Sequence, residues 1–529
     1  MFKKFLTPSA LVKIVVLLGL LGGLFFLLRQ SLPAMGDDAY IHVRTASNFA
    51  TYGLPYYNPA ENVKADSSTV FLIILGMTFK LFSEHLSLIA LMNSFFILSS
   101  GYLFTLSIRT ALKSRAAGAA AVLVGLVFLV GYIPLMLNFH TEYMETPLAM
   151  FLMASFLILY LNGKKTAFVF LGVAVFTRTE LWVFAGAFIL LAWITAKFQR
   201  SSALKFFLIG ALPFLVFELV FFGTIVPNAM IAKRAVYAFS FDQTLSSMFG
   251  GLYPSSWSLD LKKLLVSVSI LSLAAFGLYP GAIWSGLKHV RQTLRNLPDH
   301  DIEIWVFWAC GIAIALSYLF VFGTVAPWYF QLYSVPLVLA TCIFAGKSKK
   351  SLLLILILVP VLISPVQGFF IRSYAAFFES PPYPFDNLSG RVRKYIEVGR
   401  KLYQAYPQAT LLTSEIGGLG YGFKGKILDG VGLVSPEAIK YHPMKVPDER
   451  PSGMTGAIPP GLIQDKNPEI IVSYSSFIGA FQKSDLVNNY ILIEEAPLLP
   501  EDMRRSVTQT VWGTNSLSIY IRKDIYKSP

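Results

Sequence analysis

Eleven long apolar stretches, separated by short polar turns, run through the first 370 residues of the chain. A helix needs about 20 predominantly apolar residues to cross the hydrocarbon core of a bilayer. The pattern therefore predicts a polytopic α-helical membrane protein with about 11 transmembrane helices. The stretches lie at 11–29, 85–108, 115–137, 145–161, 165–177, 180–197, 203–223, 262–285, 302–322, 327–346 and 351–370.

Two apolar segments need a separate interpretation. Residues 11–29 follow a short basic start and are longer than the apolar part of a typical signal peptide, which favours a retained anchor. Residues 68–83 are also apolar, but a crossing there would move every later basic turn to the other side of the membrane. We therefore expect a juxtamembrane or re-entrant helix on the outer face at 68–83.

Basic residues indicate the orientation, because Lys and Arg collect in cytoplasmic loops. With a cytoplasmic amino terminus, every strong basic cluster falls inside, and 11 crossings leave the carboxyl end outside. The sequence thus predicts an integral protein of the inner (cytoplasmic) membrane. The clusters are Arg109, Lys113 and Arg115; Lys164 and Lys165; Lys197 and Arg200; Lys288, Arg291 and Arg295; and Lys347, Lys349 and Lys350.

From residue 371 the pattern changes to mixed polar sequence in which helical and strand periods alternate. An amphipathic helix is expected at 391–405. Strands are expected at Thr410 to Thr413, Glu469 to Tyr474, Tyr490 to Glu494 and Ser516 to Ile521. Residues 371–529 are therefore predicted to form an extracytoplasmic α/β domain beside a transmembrane domain at 1–370.

Composition supports the membrane assignment. The chain is 55% hydrophobic and only 14% charged, which excludes a string of ordinary soluble domains. Its net charge of +14 does not indicate nucleic acid as a partner, because the basic residues sit in clusters between apolar runs, where they orient helices.

Almost all unusual polar residues fall on the predicted outer side, in loops 30–67 and 223–261 and in outer turns. The first loop opens with Asp37 and Asp38, two adjacent carboxylates at a membrane edge. Like charges repel, so the pair implies a cation, a proton or a hydroxyl-bearing substrate nearby. The alternative is a helix cap with dipole compensation. We take the pair as the candidate catalytic centre, with Asp37 as base and Asp38 binding the acceptor, a divalent cation or the helix end.

Other outer residues are candidates for binding a phosphate or the rest of a substrate. The phosphate candidates are Lys233, Arg234, Arg178 and Arg44, since cations stabilise a leaving phosphate. The substrate candidates are His42, Glu145, Glu180 and Tyr329. Each has a structural alternative: an ion pair for Arg178 with Glu180, an anionic-lipid contact for Lys233 and Arg234, an aromatic belt for Tyr329, and packing for His42.

A glycine-rich segment, Gly417 to Gly422, follows a predicted strand but lacks the spacing of a dinucleotide loop. No helix clearly starts there, and its predicted extracytoplasmic location removes access to ATP or NAD. We interpret it as a glycine-rich turn. No zinc-site, P-loop or nucleophile-elbow pattern occurs in the sequence.

Several segments resemble, in chain order, the GT-C class of integral-membrane glycosyltransferases, nearest the branch of terminal arabinofuranosyltransferases. Two segments depart from that branch. Thr179 stands where the branch has proline, and Ser67-Ser68-Thr69 replaces the usual TNP or TSP. The matching segments are Gly36-Asp37-Asp38-Ala39-Tyr40-Ile41 with Arg44 and Asn48; Tyr57 to Val63; Met144-Glu145-Thr146-Pro147-Leu148; Thr177-Arg178-Thr179-Glu180; Pro227-Asn228 with Lys233; and Ile416 to Tyr421 with Leu428 to Leu433.

The resemblance implies a GT-C-like catalytic domain at 1–370 that takes a sugar from a polyprenyl-phosphate donor. The acceptor would be a hydroxyl of a glycan, lipid or protein at the outer face, with membrane lipids as surroundings. The resemblance also implies inversion at the anomeric carbon. No cofactor is implied beyond the divalent cation left open at Asp37 and Asp38.

Two other functions remain as alternatives from the sequence. A proton-coupled transporter or lipid flippase would use Asp37 and Asp38 as coupling carboxylates, but such paths place ionisable groups near the midplane. A membrane scaffold with an outer binding domain explains the topology and leaves the polar cluster unexplained.

Overall fold

The computed structural model describes residues 35–112, 143–195, 200–236, 301–318, 329–347, 387–444, 458–498 and 516–527, with residue 320 and parts of 124–136. Four predicted crossings, 11–29, most of 115–137, 262–285 and 351–370, lie outside the described residues. The same is true of the predicted domain boundary at residue 370, so that boundary stays a prediction.

The described part of the first 347 residues is helical. The helices are α1 (Asp37–Tyr52), α2 (Thr69–Phe82), α3 (Leu86–Leu112), α4 (Thr146–Leu161), α5 (Ala167–Ala174), α6 (Trp182–Thr195), α7 (Arg200–Phe222), α8 (Asn228–Val236), α9 (Asp301–Ser317) and α10 (Phe330–Lys347). Most coincide with the predicted apolar stretches, and α2 coincides with the juxtamembrane segment. The sequence pattern did not predict α8, which lies in a segment we expected to be a loop.

Two described helices are long and apolar enough to cross a membrane, Leu86–Leu112 and Ser201–Phe222. Four others are apolar but shorter, among them Thr69–Phe82 and Thr146–Leu161. The number of 11 crossings therefore stays a prediction.

Aromatic side chains and close helix contacts hold the helical part together. The ring of Phe156 on α4 lies 4.8 Å from that of Phe188 on α6, and Phe188 contacts Phe307 of α9. Helices α5 and α7 pack backbone to backbone, because a Cβ at Gly172 or Gly210 would collide with the main chain of the facing helix. Such close approach through small residues is typical of helix pairs in membranes.

The carboxyl-terminal part is an α/β domain built on one mixed five-stranded sheet. Its strands are β1 (Thr410–Thr413), β2 (Lys426–Asp429), β3 (Ile470–Tyr474), β4 (Tyr490–Pro497) and β5 (Ser516–Arg522), in the order β2-β1-β3-β5-β4. Strand β1 pairs parallel with β2 and β3, whereas β5 pairs antiparallel with β3 and β4. Four of these strands follow the sequence prediction, and β2 is additional.

Helices cover both faces of the sheet, because successive side chains of a strand point to opposite sides. The helices are α11 (Asn387–Ala405), α12 (Gly418–Gly422), α13 (Pro460–Lys466) and α14 (Gly479–Gln482). Leu411 belongs to the core that continues into the membrane part, whereas its neighbour Leu412 packs in a second cluster with Leu462 and Phe481. The glycine-rich segment thus forms the short helix α12, a helix start that the sequence pattern did not show.

Hydrogen bonds to main-chain atoms dock this domain on the first outer loop. Asn58 donates to the carbonyl of Ile427 at 2.8 Å and accepts the N–H of the same residue at 3.2 Å. It thereby occupies the free side of the edge strand β2. Tyr57 donates its hydroxyl to the carbonyl of Ile416 at 2.5 Å. The Tyr40 and Tyr421 rings lie 4.9 Å apart at the same interface.

Candidate active site

A cavity lies where α1, α8 and the start of α10 meet the carboxyl-terminal domain. It holds about 910 Å³ of empty space, counting the part that is open to solvent. Its lining contains both polar and apolar side chains, which suits an amphipathic ligand. The polar lining residues are Asp38, His42, Asp66, Ser67, Arg178, Thr179, Glu180, Lys233, Arg234, Tyr318 and Tyr329, and the apolar ones are Ile41, Ala65, Met144, Pro227, Ala229, Met230 and Leu433.

Helix α1 presents two of these side chains. It begins at Asp37 after Gly36, and carboxylates in the first turn interact favourably with the helix dipole. Asp38 and His42 are four residues apart, so they share one helix face, and both line the cavity. No hydrogen bond or ion pair within the described residues engages the Asp38 carboxylate. Asp38 is therefore placed to meet a ligand.

The neighbouring carboxylate faces the carboxyl-terminal domain instead. Asp37 Oδ1 accepts the N–H of Gly418 at 2.8 Å, and Oδ2 accepts the N–H of Gly417 at 3.2 Å. Burial raises the pKa of Asp37 above its ordinary value, and the charge of Arg391 and the Gly418 N–H oppose that rise. The two adjacent carboxylates thus have different environments.

A chain of buried charges lies beneath the cavity. His42 Nδ1 lies 2.7 Å from Asp66 Oδ2, and His42 Nε2 lies 3.2 Å from Glu145 Oε2. Thr45 Oγ1 also donates to Asp66 Oδ2 at 3.2 Å. Burial disfavours the charged imidazole, but the two carboxylates outweigh it and raise the pKa of His42 to about 10. His42 is therefore an imidazolium at neutral pH and donates from both ring nitrogens.

This chain of buried charges continues through the guanidinium of Arg178. Arg178 Nη1 lies 2.6 Å from Glu145 Oε1, and its Nε and Nη2 bind both oxygens of Glu180 at 3.1 and 2.6 Å. Tyr318 donates its hydroxyl to Glu180 as well. The guanidinium lies 4.4 Å from the centre of the Tyr329 ring. Charges thus alternate from Asp66 to Glu180, and each buried charge has an opposite neighbour, as buried ions require.

We expect the stability of the protein to fall as the pH rises from about 6.5 to about 10, with His42 as the cause. The pKa of His42 is about 10 when folded and about 6.5 when unfolded. Its stabilisation is therefore complete below pH 6.5 and is lost as the pH rises through 10. Thermal unfolding in detergent across this range measures the slope. His42→Gln, which keeps a donor but has no charge, should flatten it, and an equal slope in both proteins would contradict the assignment.

Helix α8 supplies two further cations to the lining of the cavity. Lys233 is partly buried and Arg234 is exposed, and both line the cavity. Lys233 donates to the hydroxyl of Tyr329 at 3.2 Å, and the Tyr329 ring stacks on that of Tyr318. Lys233, Arg234 and the carboxylate of Asp38 therefore border the same space.

Arg44 lies outside the cavity, at the interface between the domains. Its guanidinium donates to the carbonyls of Gly420, Gly425 (2.7 Å) and Tyr57 (3.0 Å) and to Asn58 Oδ1 (3.3 Å). It also stacks on the Tyr57 ring at 4.4 Å. Because oxygen acceptors hold the whole guanidinium, Arg44 connects the outer loop with the carboxyl-terminal domain.

The structure thus brings most of the candidate residues together. Asp38, His42, Arg178, Glu180, Lys233, Arg234 and Tyr329 line one cavity, and Glu145 lies directly beneath it. Asp37 adjoins the cavity but faces the other domain, and Arg44 lies apart. Eleven of the 18 lining residues were not among the candidates. They include Asp66, a carboxylate of the first outer loop; Tyr318, which looks ordinary within an apolar run; and Leu433, which comes from the other domain.

The described residues contain no group of three or more His, Cys, Asp or Glu side chains arranged to hold a metal ion. At the aspartate pair, both oxygens of Asp37 already accept backbone N–H groups. A cation between Asp37 and Asp38 would compete with those donors. We therefore derive no step through a metal.

Comparisons with known proteins bear on the fold. Residues 386–520 match a family model described as a domain of unknown function, DUF8728. No curated protein matches the chain in sequence. The fold is similar to that of ArnT from Cupriavidus metallidurans bound to undecaprenyl phosphate, with a TM-score of 0.54 and 11% identity over 98% of this chain and 99% of that chain. The similarity supports the GT-C membrane fold that was expected from the sequence.

Proposed function

We propose that the chain is an integral-membrane glycosyltransferase that moves a sugar from a polyprenyl-phosphate donor to an acceptor hydroxyl. The observation that carries the proposal is the cavity, whose lining brings together Asp38, a carboxylate without a partner among the described residues, the cations Lys233 and Arg234, and several apolar side chains. The shared fold with a protein crystallised with undecaprenyl phosphate supports it.

Each side of the cavity has a role in the proposed reaction. We assign the role of general base to Asp38 and not, as expected from the sequence, to Asp37, because both oxygens of Asp37 already accept N–H groups of the other domain. Asp38 accepts the proton of the acceptor hydroxyl. The hydroxyl oxygen then bonds to the anomeric carbon while the bond from that carbon to the phosphate oxygen breaks. Lys233 and Arg234 stabilise the negative charge that develops on the leaving phosphate. A single displacement without a covalent sugar intermediate inverts the anomeric carbon.

The buried charge chain has a supporting role in this scheme. Arg178 is held by Glu145 and Glu180, so its charge is balanced within the protein before any ligand binds. We assign phosphate contact to Lys233 and Arg234, which lie side by side on α8 and both line the cavity, and assign to Arg178 and His42 the task of holding the walls of the cavity. Glu180 and Tyr329 line the space where the sugar would lie.

The apolar lining residues of the cavity account for the lipid part of the donor. Met144, Met230 and Pro227 border the same space as the charged groups. A polyprenyl chain would lie along these apolar side chains and continue into the membrane, while its phosphate reaches Lys233 and Arg234. The membrane location and the extracytoplasmic position of the site are part of the proposal. The resemblance to arabinofuranosyltransferases makes a polyprenyl-phosphate pentofuranose the first donor to assay.

Transfer from a radiolabelled polyprenyl-phosphate sugar tests the proposal. The purified protein, reconstituted in liposomes with candidate hydroxyl acceptors, should release polyprenyl phosphate and label the acceptor. Movement of the intact labelled lipid across the bilayer without transfer would instead identify a transporter or flippase. The same assay in the presence of a chelator reports on a divalent cation, since unchanged transfer would exclude an essential exchangeable one.

A further inference from the structure

One buried carboxylate shapes the turn that follows β2 in the carboxyl-terminal domain. Asp429 Oδ1 accepts the N–H of Val431 at 2.8 Å, and Oδ2 accepts the N–H of Val434 at 3.1 Å. Gly432 between them has a φ of 95°, a conformation that favours glycine. Because these constraints fix the backbone, they also fix the direction of the carbonyl groups of the turn.

Asn228 binds two of those carbonyls. Its side-chain amide donates to the oxygen of Gly432 at 2.6 Å and to that of Leu433 at 2.9 Å. Its backbone N–H donates to the carbonyl of Lys64 in the first outer loop at 2.9 Å. A single residue at the start of α8 thus joins three segments of the chain.

The partner in the outer loop is itself held firmly. Lys64 is buried, forms an ion pair with Glu218 of α7 at 2.5 Å, and donates to the carbonyl of Ile225 at 2.8 Å. Thr69 at the start of α2 donates to the same carboxylate at 2.5 Å. The first turn of α8 is therefore attached to two rigid supports, one in each domain.

Helix α8 carries the cations assigned to phosphate binding. Lys233 and Arg234 follow Asn228 within the nine residues of the helix, about 13 Å in length at 1.5 Å per residue. A shift at its first residue therefore moves both charges. Leu433, whose carbonyl Asn228 binds, lines the same cavity from the carboxyl-terminal domain.

We propose that Asn228 is a positioning residue that ties α8 to the Gly432–Leu433 turn, so that the carboxyl-terminal domain sets the place of the phosphate-binding cations. The proposal rests on the proposed function for the identity of the ligand, a polyprenyl phosphate. The attachment of α8 itself is independent of that identity. Two measurements can therefore test the ligand and the attachment of α8 separately.

The first measurement is the affinity for undecaprenyl phosphate in nanodiscs, the lipid bound by the protein of similar fold. Asn228→Ala should weaken binding about ten- to hundredfold, because small misplacements of binding groups cost that much. In a double variant with Lys233→Ala, the effects should not add, since both act on one contact. Asn162→Ala is the matched control, because the side chain of this exposed asparagine donates to the Ile158 carbonyl in the preceding turn and, among the described residues, to no other group. Unchanged affinity in Asn228→Ala, or additive losses, would overturn the proposal.

The second measurement needs no ligand. Amide hydrogen exchange should rise across residues 228–236 in Asn228→Ala and in Asn228→Asp, whose carboxylate cannot donate to the two carbonyls. Exchange in α11 should stay as in the parent protein, which separates local release from general unfolding. Protected amides across α8 in both variants would refute the positioning role. If the parent protein bound no polyprenyl phosphate while the two Asn228 variants still showed this local release, the proposed function alone would be refuted.

Discussion

Asp38→Asn is expected to lower the turnover number for sugar transfer by about 10²- to 10⁴-fold, the usual contribution of a general base. Asparagine has the shape of aspartate but cannot take the proton of the acceptor hydroxyl. No described residue depends on the Asp38 carboxylate for a hydrogen bond, so the melting temperature should stay unchanged. Steady-state transfer rates and thermal unfolding of the same preparation measure both quantities.

Asp37→Asn is the comparison that tests the assignment. Its amide group would face one of the N–H donors of Gly417 and Gly418, so one of those hydrogen bonds is lost. A buried donor left without a partner costs about 1–3 kcal/mol, which should appear as lower stability with transfer retained in part. If Asp37→Asn abolished transfer and Asp38→Asn left it intact, the two roles would be exchanged. Full activity in both variants would end the hypothesis of an aspartate base.

Arg178→Leu should destabilise the protein by about 3–5 kcal/mol, because removing one partner of a buried ion pair leaves an uncompensated charge. The side chain of Arg178 is 4% exposed and that of Glu145 is fully buried. Without the guanidinium, Glu145 has only His42 as a charged partner, and Glu180 has only the Tyr318 hydroxyl among its described contacts. Thermal unfolding in detergent should show the loss.

Two variants show whether burial is the reason. Arg178→Lys keeps the charge but cannot bind both oxygens of Glu180 at once, so its stability should lie between those of the parent and Arg178→Leu. Lys394→Ala removes an exposed ion pair with Glu397 and should cost less than about 1 kcal/mol. Equal melting temperatures for Arg178→Leu and Lys394→Ala would show that the buried chain does not support the fold.

The sequence was most informative where one periodicity continues for many residues. The apolar run at 203–223 corresponds to α7, and the amphipathic pattern at 391–405 lies within α11. Strand β2 (Lys426–Asp429) escaped prediction because Lys and Asp, the residues at its two ends, are disfavoured in strands, whereas the equally short β1 has Thr at both ends. Helix α8 escaped because its nine residues show their buried side only when the two domains are docked.

The candidate site, too, could be predicted from the sequence only in part. Residue type and predicted side of the membrane grouped Asp38, His42, Lys233 and Glu180 before any coordinates were considered. Neither property tells which way a side chain turns. Asp37 and Asp38 have the same chemistry, yet one faces the cavity and the other faces the carboxyl-terminal domain, because adjacent residues of a helix point about 100° apart. Arg44 joined the candidates as a cation, whereas two of its partners, Gly420 and Gly425, lie about 380 positions further along the chain.

The docking contacts of Arg44, Tyr57 and Asn58 carry an evolutionary consequence. All three bind main-chain atoms of residues 416–427, and main-chain atoms persist when side chains change. The docking contacts should therefore tolerate substitutions in that segment, while Leu419, Phe423 and Gly422 are constrained by the core of their own domain. The exceptions are Gly417 and Gly420, where a Cβ would meet Asp37 and the Tyr57 hydroxyl. In an alignment of relatives, we expect this interface to be marked by Arg, Tyr and Asn on one domain and by only two glycines on the other.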